Sequence, residues 1–349
     1  MSSVLIIGMS AFVAGGAFVV TILFTIVTRI LARRFNIVDR PVVGGRKIHE
    51  KPVPLLGGIA LYLAIVAAVA ALFVARPELL TINISIRELI MVGLGGLIIV
   101  IGGAIDDRYN LKPRQQIIFP ILGIVIALLG GVGLSHITNP FGGVLQLGAW
   151  GMLLAFFWLL GMTYTVKLLD GLDGLATGIV GIGAAMIFAL SQFTRFYQPD
   201  VALLALIVAA ACAAFLFFNF HPASIFLGES GSLFLGFMLG VLAIIAGGKI
   251  ATTLLVMGLP ILDVAWVILR RLFQKKSVIV GDAGHLHHRL LRGGFSHRGA
   301  VIFMYAVSVT FGILTLVLQS KQKLIALALL VIFMIFLGFW LVARSRART

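Results

Sequence analysis

The chain has 349 residues, of which 61% are hydrophobic and only 11% are charged, and its mean hydropathy is +1.15. A soluble domain carries about 25% charged residues, so the composition excludes an ordinary soluble protein. The formal net charge of +15 would also suit a protein that binds nucleic acid. Because the basic residues gather between apolar segments, we expect instead a membrane orientation signal and no nucleic acid partner.

Eleven apolar segments approach the roughly 20 residues that a membrane-spanning helix needs. The first runs from Val4 to about Leu31, which is too long for a cleavable signal peptide and lacks its basic start. Cys212 is the single cysteine, so no intrachain disulfide can form. We predict an all-α polytopic membrane protein, one integral domain over 1–349, with spans at about 4–31, 54–75, 88–105, 116–134, 149–168, 175–193, 201–218, 233–248, 252–269, 301–318 and 324–342.

The connections between these spans differ in charge. One set carries 21 of the 27 Lys and Arg residues and the other set carries six. Positive charge stays in the cytoplasm, which predicts an N-terminus outside and a cytoplasmic C-terminus. The same predicted side holds nine of the 12 acidic residues and six of the seven histidines, which orientation rules do not explain. We therefore expect a polar site on the cytoplasmic face, in the loops at about 32–53, 106–115, 167–174, 219–232 and 270–300.

The first two loops contain a basic segment and an acidic pair. The segment GGRKIHEKPVPLLGG, 44–58, carries Lys47 and His49, and by itself it is typical of positive charge retained inside. Asp106 and Asp107 end the third span. Adjacent carboxylates at a membrane boundary repel each other and are costly to desolvate, so a cation is their natural partner. A solvated helix end is the alternative interpretation.

The next two loops add carboxylates among glycines. In KLLDGLDGLATG, 167–178, Asp170 and Asp173 would share a helix face, and the glycines leave backbone open to a ligand. A turn capped by the two Asp residues is the alternative. In NFHPASIFLGESGSLFLGF, 219–237, Glu229 stands just before a span, where a helix N-terminus suits phosphate.

The longest loop contains GDAGHLHHRLLRGG, 281–294. Asp282 and the pair Gly293-Gly294 predict the two ends of a short helix. One face of that helix would carry His285, His288, Arg289 and Arg292. Histidine with arginine suits an anion such as pyrophosphate better than zinc, which wants a closed set of ligands. A basic loop that contacts lipid headgroups is the alternative.

Together the motifs place carboxylates, cations and glycines on one membrane face. Carboxylates with Mg²⁺ and cationic side chains describe a diphosphate site, where the metal neutralises charge that develops on phosphoryl oxygens. A transporter with ion-binding carboxylates is an alternative of another class. Transport sites lie near the bilayer midplane, whereas these carboxylates end their spans, so the sequence favours an enzyme.

In this order, the motifs resemble those of the polyprenyl-phosphate N-acetylhexosamine-1-phosphate transferase family, from RKIHEKPVPLLGG to HLHHRLL. These two motifs favour the branch that transfers GlcNAc 1-phosphate over the peptidoglycan branch. The resemblance implies transfer from a UDP-N-acetylhexosamine to undecaprenyl or another polyprenyl phosphate, with Mg²⁺ or else Mn²⁺ and with UMP as by-product. It places the enzyme in a bacterial inner membrane, where it would start a cell-envelope polysaccharide, and it leaves a homodimer open.

The resemblance also implies residue roles. The family's catalytic carboxylates fall on Asp106, Asp107, Asp170 and Asp173. We expect Asp107 and Glu229 to hold the metal and Asp106 to position or deprotonate the lipid phosphate, although Asp106 and Asp107 could exchange these roles. The expected substrate-binding residues are Lys47, His49, Lys167, Asn219, His285, His287, His288 and Arg289.

Two positions depart from the family pattern. Lys167 stands where Asn is usual, and Glu229 stands where an Asp that binds Mg²⁺ is usual; more mildly, Asn110 replaces a frequent Asp. A lone lysine would compete with the metal, which leaves an inactive homologue as an alternative. A lysine paired with the glutamate would not compete. We therefore predict that Lys167 Nζ lies within salt-bridge distance of Glu229 or of the donor phosphates.

The predicted orientation can be tested by cysteine labelling. A cysteine placed near Ser296 should react with impermeant thiol reagents only from the cytoplasmic side, and one near Gln322 only from the outside. The measurement is labelling of intact cells against inverted vesicles, and reversed labelling would contradict both the topology and the side assigned to the site.

Overall fold

The structure is a computed structural model that describes residues 3–40, 52–139, 142–194, 197–247, 250–275 and 284–346. Its first half contains α1 (Ser3–Arg34), β1 (Val38–Asp39), β2 (Val53–Pro54), α2 (Gly57–Ala75), a 3₁₀ turn (Pro77–Leu79), α3 (Ile86–Tyr109), α4 (Pro113–Gln116), α5 (Ile118–Gly130), β3 (His136–Thr138), β4 (Val144–Gln146) and α6 (Trp150–Leu169). Its second half contains α7 (Leu175–Phe193), α8 (Pro199–Asn219), α9 (Gly228–Ile245), α10 (Ile250–Val256), α11 (Gly258–Phe273), α12 (Leu286–Arg292), α13 (His297–Val317) and α14 (Ser320–Arg346).

The helices confirm the predicted polytopic, all-α membrane protein. Ten helical spans in the described residues are long and apolar enough to cross a membrane, one of them formed by α4 and α5 together. An eleventh is obtained if α10 and α11, which meet at 79°, count as one span. The ninth span predicted at 252–269 corresponds to this bent pair of helices. Pro260 cannot donate the backbone hydrogen bond that a continuous helix would make to Val256, which favours a break there.

Several predicted loops are partly helical. Asp106 and Asp107 lie in the last turn of α3, which continues to Tyr109, and Lys167 lies in the last turn of α6. Glu229 belongs to the first turn of α9. The short helix predicted in the longest loop is confirmed as α12, with Gly293 at its C-terminal end. His285 is its N-cap, and the predicted cap Asp282 lies outside the described residues.

Helix α9 lies at the centre of the bundle, with 78% of its residues buried, whereas only 22% of an 18-residue apolar stretch of α14 is buried. Its N-terminus passes very close to α3: a Cβ on Gly103 would lie 2.3 Å from Ser230 Cα. Membrane helices use small residues at such contacts because they let backbones approach closely. Glycine at this point of α3 therefore lets α9 begin beside the acidic pair.

Two short antiparallel β-ladders lie at opposite ends of the bundle. Strands β1 and β2 pair Val38 with Pro54 and bring the chain on either side of 41–51 together. Strands β3 and β4 form a hairpin between α5 and α6, at the end remote from Asp106 and Lys167. Four carboxylate-bearing segments of the chain, at Asp39, Asp106–Asp107, Asp170–Asp173 and Glu229, meet at the end of the bundle that carries β1 and β2.

The remote end is held by Asp200, which is completely buried. Its carboxylate accepts hydrogen bonds from the backbone and side chain of Asn83 and from the backbone of Ile84 and Val201. A buried carboxylate is stable only when its oxygens are paired. Asp200 therefore fixes the loop before α3 to the start of α8.

Replacing Asp200 by Asn should lower the free energy of unfolding, because an amide places a donor against these N–H groups. Loss of hydrogen bonds to a charged group costs about 1.5–3 kcal/mol. Thermal unfolding in detergent measures the effect. Glu78→Gln is the matched control, since Glu78 is exposed on the same loop and pairs only with Arg76 at 3.6 Å. Equal melting temperatures for the two variants would contradict this role for Asp200.

Candidate active site

A cavity of about 610 Å³ opens where the ends of α3, α6, α9, α12 and α13 meet. The loops between α6 and α7 and between α8 and α9 complete its wall. The structure brings together eight of the predicted site residues there: Asp106, Asp107, Lys167, Asp170, Asp173, Asn219, Glu229 and His288. Lys47 and His49 lie outside the described residues, so their predicted contacts stay predictions.

The carboxylate of Asp107 caps the N-terminus of α9. Asp107 Oδ1 accepts from the backbone N–H of Glu229 at 2.8 Å, and Oδ2 accepts from the Ser230 hydroxyl at 2.9 Å and the Ser230 backbone at 3.3 Å. The first N–H groups of a helix lack partners in the helix and carry partial positive charge, so a carboxylate is favoured there. Both oxygens of Asp107 are thus engaged in joining α3 to α9.

Asp106 has a different environment although it is adjacent in sequence. Its Oδ1 accepts from the backbone N–H of Leu111 at 2.6 Å. Its Oδ2 is buried and has no hydrogen-bond partner among the residues that the structure describes, and only 5% of the residue is exposed. A buried carboxylate oxygen without a partner is costly, so this atom is suited to a cation.

Lys167 pairs with Glu229, as predicted from the two departures. Lys167 Nζ lies 3.0 Å from Glu229 Oε2, with the side chains 16% and 33% exposed, and it also donates to Gln116 Oε1 at 3.0 Å. The lysine is therefore held between α4 and α9. Its predicted role in binding substrate stays a prediction.

The cavity concentrates negative charge. Six carboxylates line it, and Lys167 is the single Lys or Arg among the described lining residues. Burial raises the pKa of Asp170 well above its usual range, and the neighbouring carboxylates Glu229, Asp107 and Asp173 raise it further. A cation in this cluster would favour the ionised form of Asp170. The donor set of carboxylate oxygens fits a hard divalent cation.

Asp173 is tied to two histidines that the sequence interpretation did not single out. His221 Nδ1 lies 2.8 Å from Asp173 Oδ2, and the Asp173 backbone N–H donates to His297 Nε2 at 2.9 Å. The two rings stack at 4.0 Å with an interplanar angle of 16°. The signal that could have found them was the gathering of six histidines on one predicted face.

Asn219 lies between the two halves of this wall. It is buried, its Oδ1 accepts from Thr177 Oγ1 at 2.9 Å, and its Nδ2 donates to the Ile225 carbonyl at 3.1 Å. These bonds join α7 to the loop between α8 and α9. Asn219 therefore holds the loop that presents His221, in addition to lining the cavity.

The three histidines of HLHH have separate environments. His285 is buried, and its Nδ1 lies 2.8 Å from Asp263 Oδ2, so it joins α12 to α11 and does not line the cavity. His287 is buried against Gly171, where a Cβ would lie 2.2 Å from its Nε2. Burial, aided by the nearby histidines, lowers the pKa of His287 well below its usual value. His288 lines the cavity, whereas Arg289 does not.

Comparison of the sequence with known proteins finds relatives from the family that the motifs resemble. The model of glycosyl transferase family 4 matches residues 89–247. A probable undecaprenyl-phosphate N-acetylglucosaminyl 1-phosphate transferase of Bacillus subtilis is 32% identical and aligns with 92% of this chain and 89% of its own. A decaprenyl-phosphate N-acetylglucosaminephosphotransferase of Mycolicibacterium smegmatis is 34% identical, over 83% of this chain and 77% of its own. An undecaprenyl-phosphate alpha-N-acetylglucosaminyl 1-phosphate transferase of Escherichia coli K12 is 26% identical, over 94% of this chain and 91% of its own.

The Lys167–Glu229 pair should behave as one unit. Lys167→Asn alone leaves Glu229 without its partner, so Lys167→Asn with Glu229→Asp should retain more of the transferase activity that the comparisons indicate than Lys167→Asn alone. Residues in contact show interaction energies of about 0.5–3 kcal/mol in double-mutant cycles. The cycle is measured on kcat/KM and on the melting temperature.

Lys112 supplies the control for this cycle. It is the N-cap of α4, at the same end of the bundle as Lys167, and its backbone N–H donates to the Gln115 side chain. Lys112→Asn combined with Glu229→Asp should give additive effects. Additive effects in the Lys167 cycle as well would mean that the two departures are independent.

Proposed function

Because the chain belongs to the polyprenyl-phosphate N-acetylhexosamine-1-phosphate transferase family, we propose that it transfers GlcNAc 1-phosphate from UDP-GlcNAc to a polyprenyl phosphate and releases UMP. The relatives' names support the sugar phosphate and the lipid acceptor. One observation carries the proposal: Asp106 and Asp107 share a cavity with Asp170, Asp173 and Glu229.

The position of these carboxylates favours an enzyme over a transporter. They lie at the ends of α3 and α6 and at the start of α9. An intramembrane ion pathway would place such groups near the bilayer midplane. The pairing of Lys167 with Glu229 also removes the main argument for an inactive homologue, since the lysine has a partner other than a metal.

Mg²⁺ fits the donor set. Asp106 Oδ2 is buried without a hydrogen-bond partner among the described residues, and Glu229 meets Lys167 through Oε2. We assign the metal to Asp106 and Glu229 and leave Asp107 as the cap of α9, which exchanges the roles first expected for the acidic pair. When bound, Mg²⁺ or Mn²⁺ would neutralise charge that develops on the phosphoryl oxygens.

The donor diphosphate is assigned to the side of the cavity formed by α12. His288 lines this side of the cavity. His285 and His287 hold α12 against Asp263 and Gly171, so their effect on the donor would be indirect. We also propose that Arg289 contacts the diphosphate, as the sequence predicts.

The chemistry is a displacement at phosphorus. An oxygen of the lipid phosphate forms a bond to the β-phosphorus of the donor, and the bond to the oxygen that bridges the two phosphates breaks. The electron pair of that bond leaves with UMP. We place the cavity on the cytoplasmic side of a bacterial inner membrane, because the excess of Lys and Arg lies in the connections that form it.

A transfer assay tests the function directly. Purified protein, undecaprenyl phosphate and a panel of radiolabelled UDP-sugars should give a lipid-linked sugar diphosphate and UMP with UDP-GlcNAc, and EDTA should abolish it. UDP-hexoses without the N-acetyl group are the control donors. Absence of lipid-linked product from every donor in the presence of Mg²⁺ and Mn²⁺ would refute the proposal.

The acidic pair should separate into two phenotypes. Asp106→Asn should lower kcat by orders of magnitude and leave the melting temperature unchanged, since its free oxygen bonds to no described residue. Asp107→Asn should lower the melting temperature as well, because loss of a helix N-cap costs about 0.5–2 kcal/mol. Activity and thermal unfolding are measured on the same preparations. Equal losses of stability in both variants would contradict the division of roles.

A further inference from the structure

His221 and Asp173 form a carboxylate–histidine pair on the cavity wall. His221 Nδ1 lies 2.8 Å from Asp173 Oδ2, and the Ala223 backbone N–H donates to the same oxygen at 3.1 Å. A carboxylate can only accept, so Nδ1 carries the proton and Nε2 of the neutral ring keeps a lone pair. No described residue hydrogen-bonds to Nε2, and the His221 side chain is 35% exposed. The free nitrogen is therefore accessible to a substrate.

The orientation of His221 is fixed from several directions. His297 stacks on its ring, and the lone pair of His297 Nε2 is already used by the Asp173 N–H group. Arg298 Nε donates to the His221 carbonyl at 2.9 Å. A histidine held by a carboxylate in one tautomer is the arrangement that enzymes use for a general base. Its rigidity here comes from contacts between the α6–α7 loop, the α8–α9 loop and α13.

Four of the six carboxylates that line the cavity are already engaged in other contacts or are assigned to the metal. Asp107 uses both oxygens to cap α9, and Asp173 Oδ2 already accepts two N–H groups. Asp106 and Glu229 are the metal ligands of the proposed function. Of the two stacked histidines His221 and His297, His221 combines a fixed orientation with a lone pair on a ring nitrogen that no described residue bonds.

We propose that His221 is the catalytic proton acceptor of the transfer reaction, an inference that rests on the proposed function. The lipid phosphate monoanion gives its proton to His221 Nε2, and the oxygen that is freed forms the bond to the β-phosphorus of the donor. The bond from that phosphorus to the bridging oxygen breaks, and its electron pair leaves with UMP. The imidazolium then gives its proton to the phosphate of UMP, so His221 begins the next turnover neutral.

The charged groups around His221 have opposing effects on its protonation. Asp173 and Asp170, from the α6–α7 loop, favour its protonated form. Protonation is opposed by Arg298 and by any proton on His297, both from α13, and by any proton on His288, from α12. An imidazole and a phosphate monoester ordinarily change charge near pH 6.5 and about pH 6, respectively. An imidazole can both accept a proton from one phosphate and return it to another, as this shuttle requires.

His221→Asn tests the proposal. Asn keeps a donor for Asp173 in the place of Nδ1 and removes Nε2. Only about a quarter of a phosphate monoester is dianion at pH 5.5, so loss of the proton acceptor should lower kcat at least about fourfold there, with the KM for UDP-GlcNAc unchanged. The defect should shrink as pH rises towards 8.5, because the lipid phosphate is then a dianion and needs no base. A residue with only a structural role would lower kcat by a factor that does not change with pH.

Two further measurements complete the experiment. His136→Asn is the matched control, since His136 lies in β3 at the remote end and bonds to Ser135, and its pH profile should match the unmodified protein. Imidazole added to His221→Ala should restore part of the activity. A pH-independent defect without imidazole rescue, or kcat within threefold of the unmodified protein at every pH, would overturn the proposal. Absence of transfer by the unmodified protein would instead refute the proposed function, and this role with it.

Discussion

The hydrogen bonds from the N-terminus of α9 to Asp107 are the contact on which the site depends. Glu229 and Ser230 present their N–H groups at the end of α3, in a bundle where water is scarce and unpaired backbone groups are costly. Asp107 satisfies them, and Gly103 lets the two backbones approach closely enough for it to do so. The same contact carries Glu229 to Lys167 and brings it into the cavity that Asp106 lines, so the geometry of the candidate metal site follows from a helix cap.

A second constraint is the excess of negative charge around the cavity. Six carboxylates face one lysine among the described lining residues, and burial holds the pKa of Asp170 well above its usual range. Lys167 offsets part of this charge through Glu229, and a divalent cation with two anionic substrates would complete the balance. Lys167 and Glu229 therefore join α6 to α9 at the cavity, because their side chains meet.

The histidines show how tertiary contacts separate residues of one type. His285 and His287 are neighbours of His288 in sequence, but burial against Asp263 and Gly171 makes them part of the support of α12. His221 and His297 are 76 positions apart, and they stack on each other beside Asp173. One motif therefore supplies both residues that support the cavity wall and a residue that lines the cavity. The buried side chains have the supporting role.

The sequence by itself determined the membrane class, the approximate spans and the gathering of carboxylates, because hydrophobic length and charge distribution are local properties that the bilayer selects. It also predicted the Lys167–Glu229 pair, since two departures from one pattern are simplest when they compensate. The tertiary structure decided which carboxylate oxygen stays free at Asp106, that Asp107 caps α9, and that His221 joins Asp173. These depend on hydrogen bonds between segments from about 50 to more than 120 residues apart, and neither periodicity nor motif spacing contains the relative placement of helices that creates them.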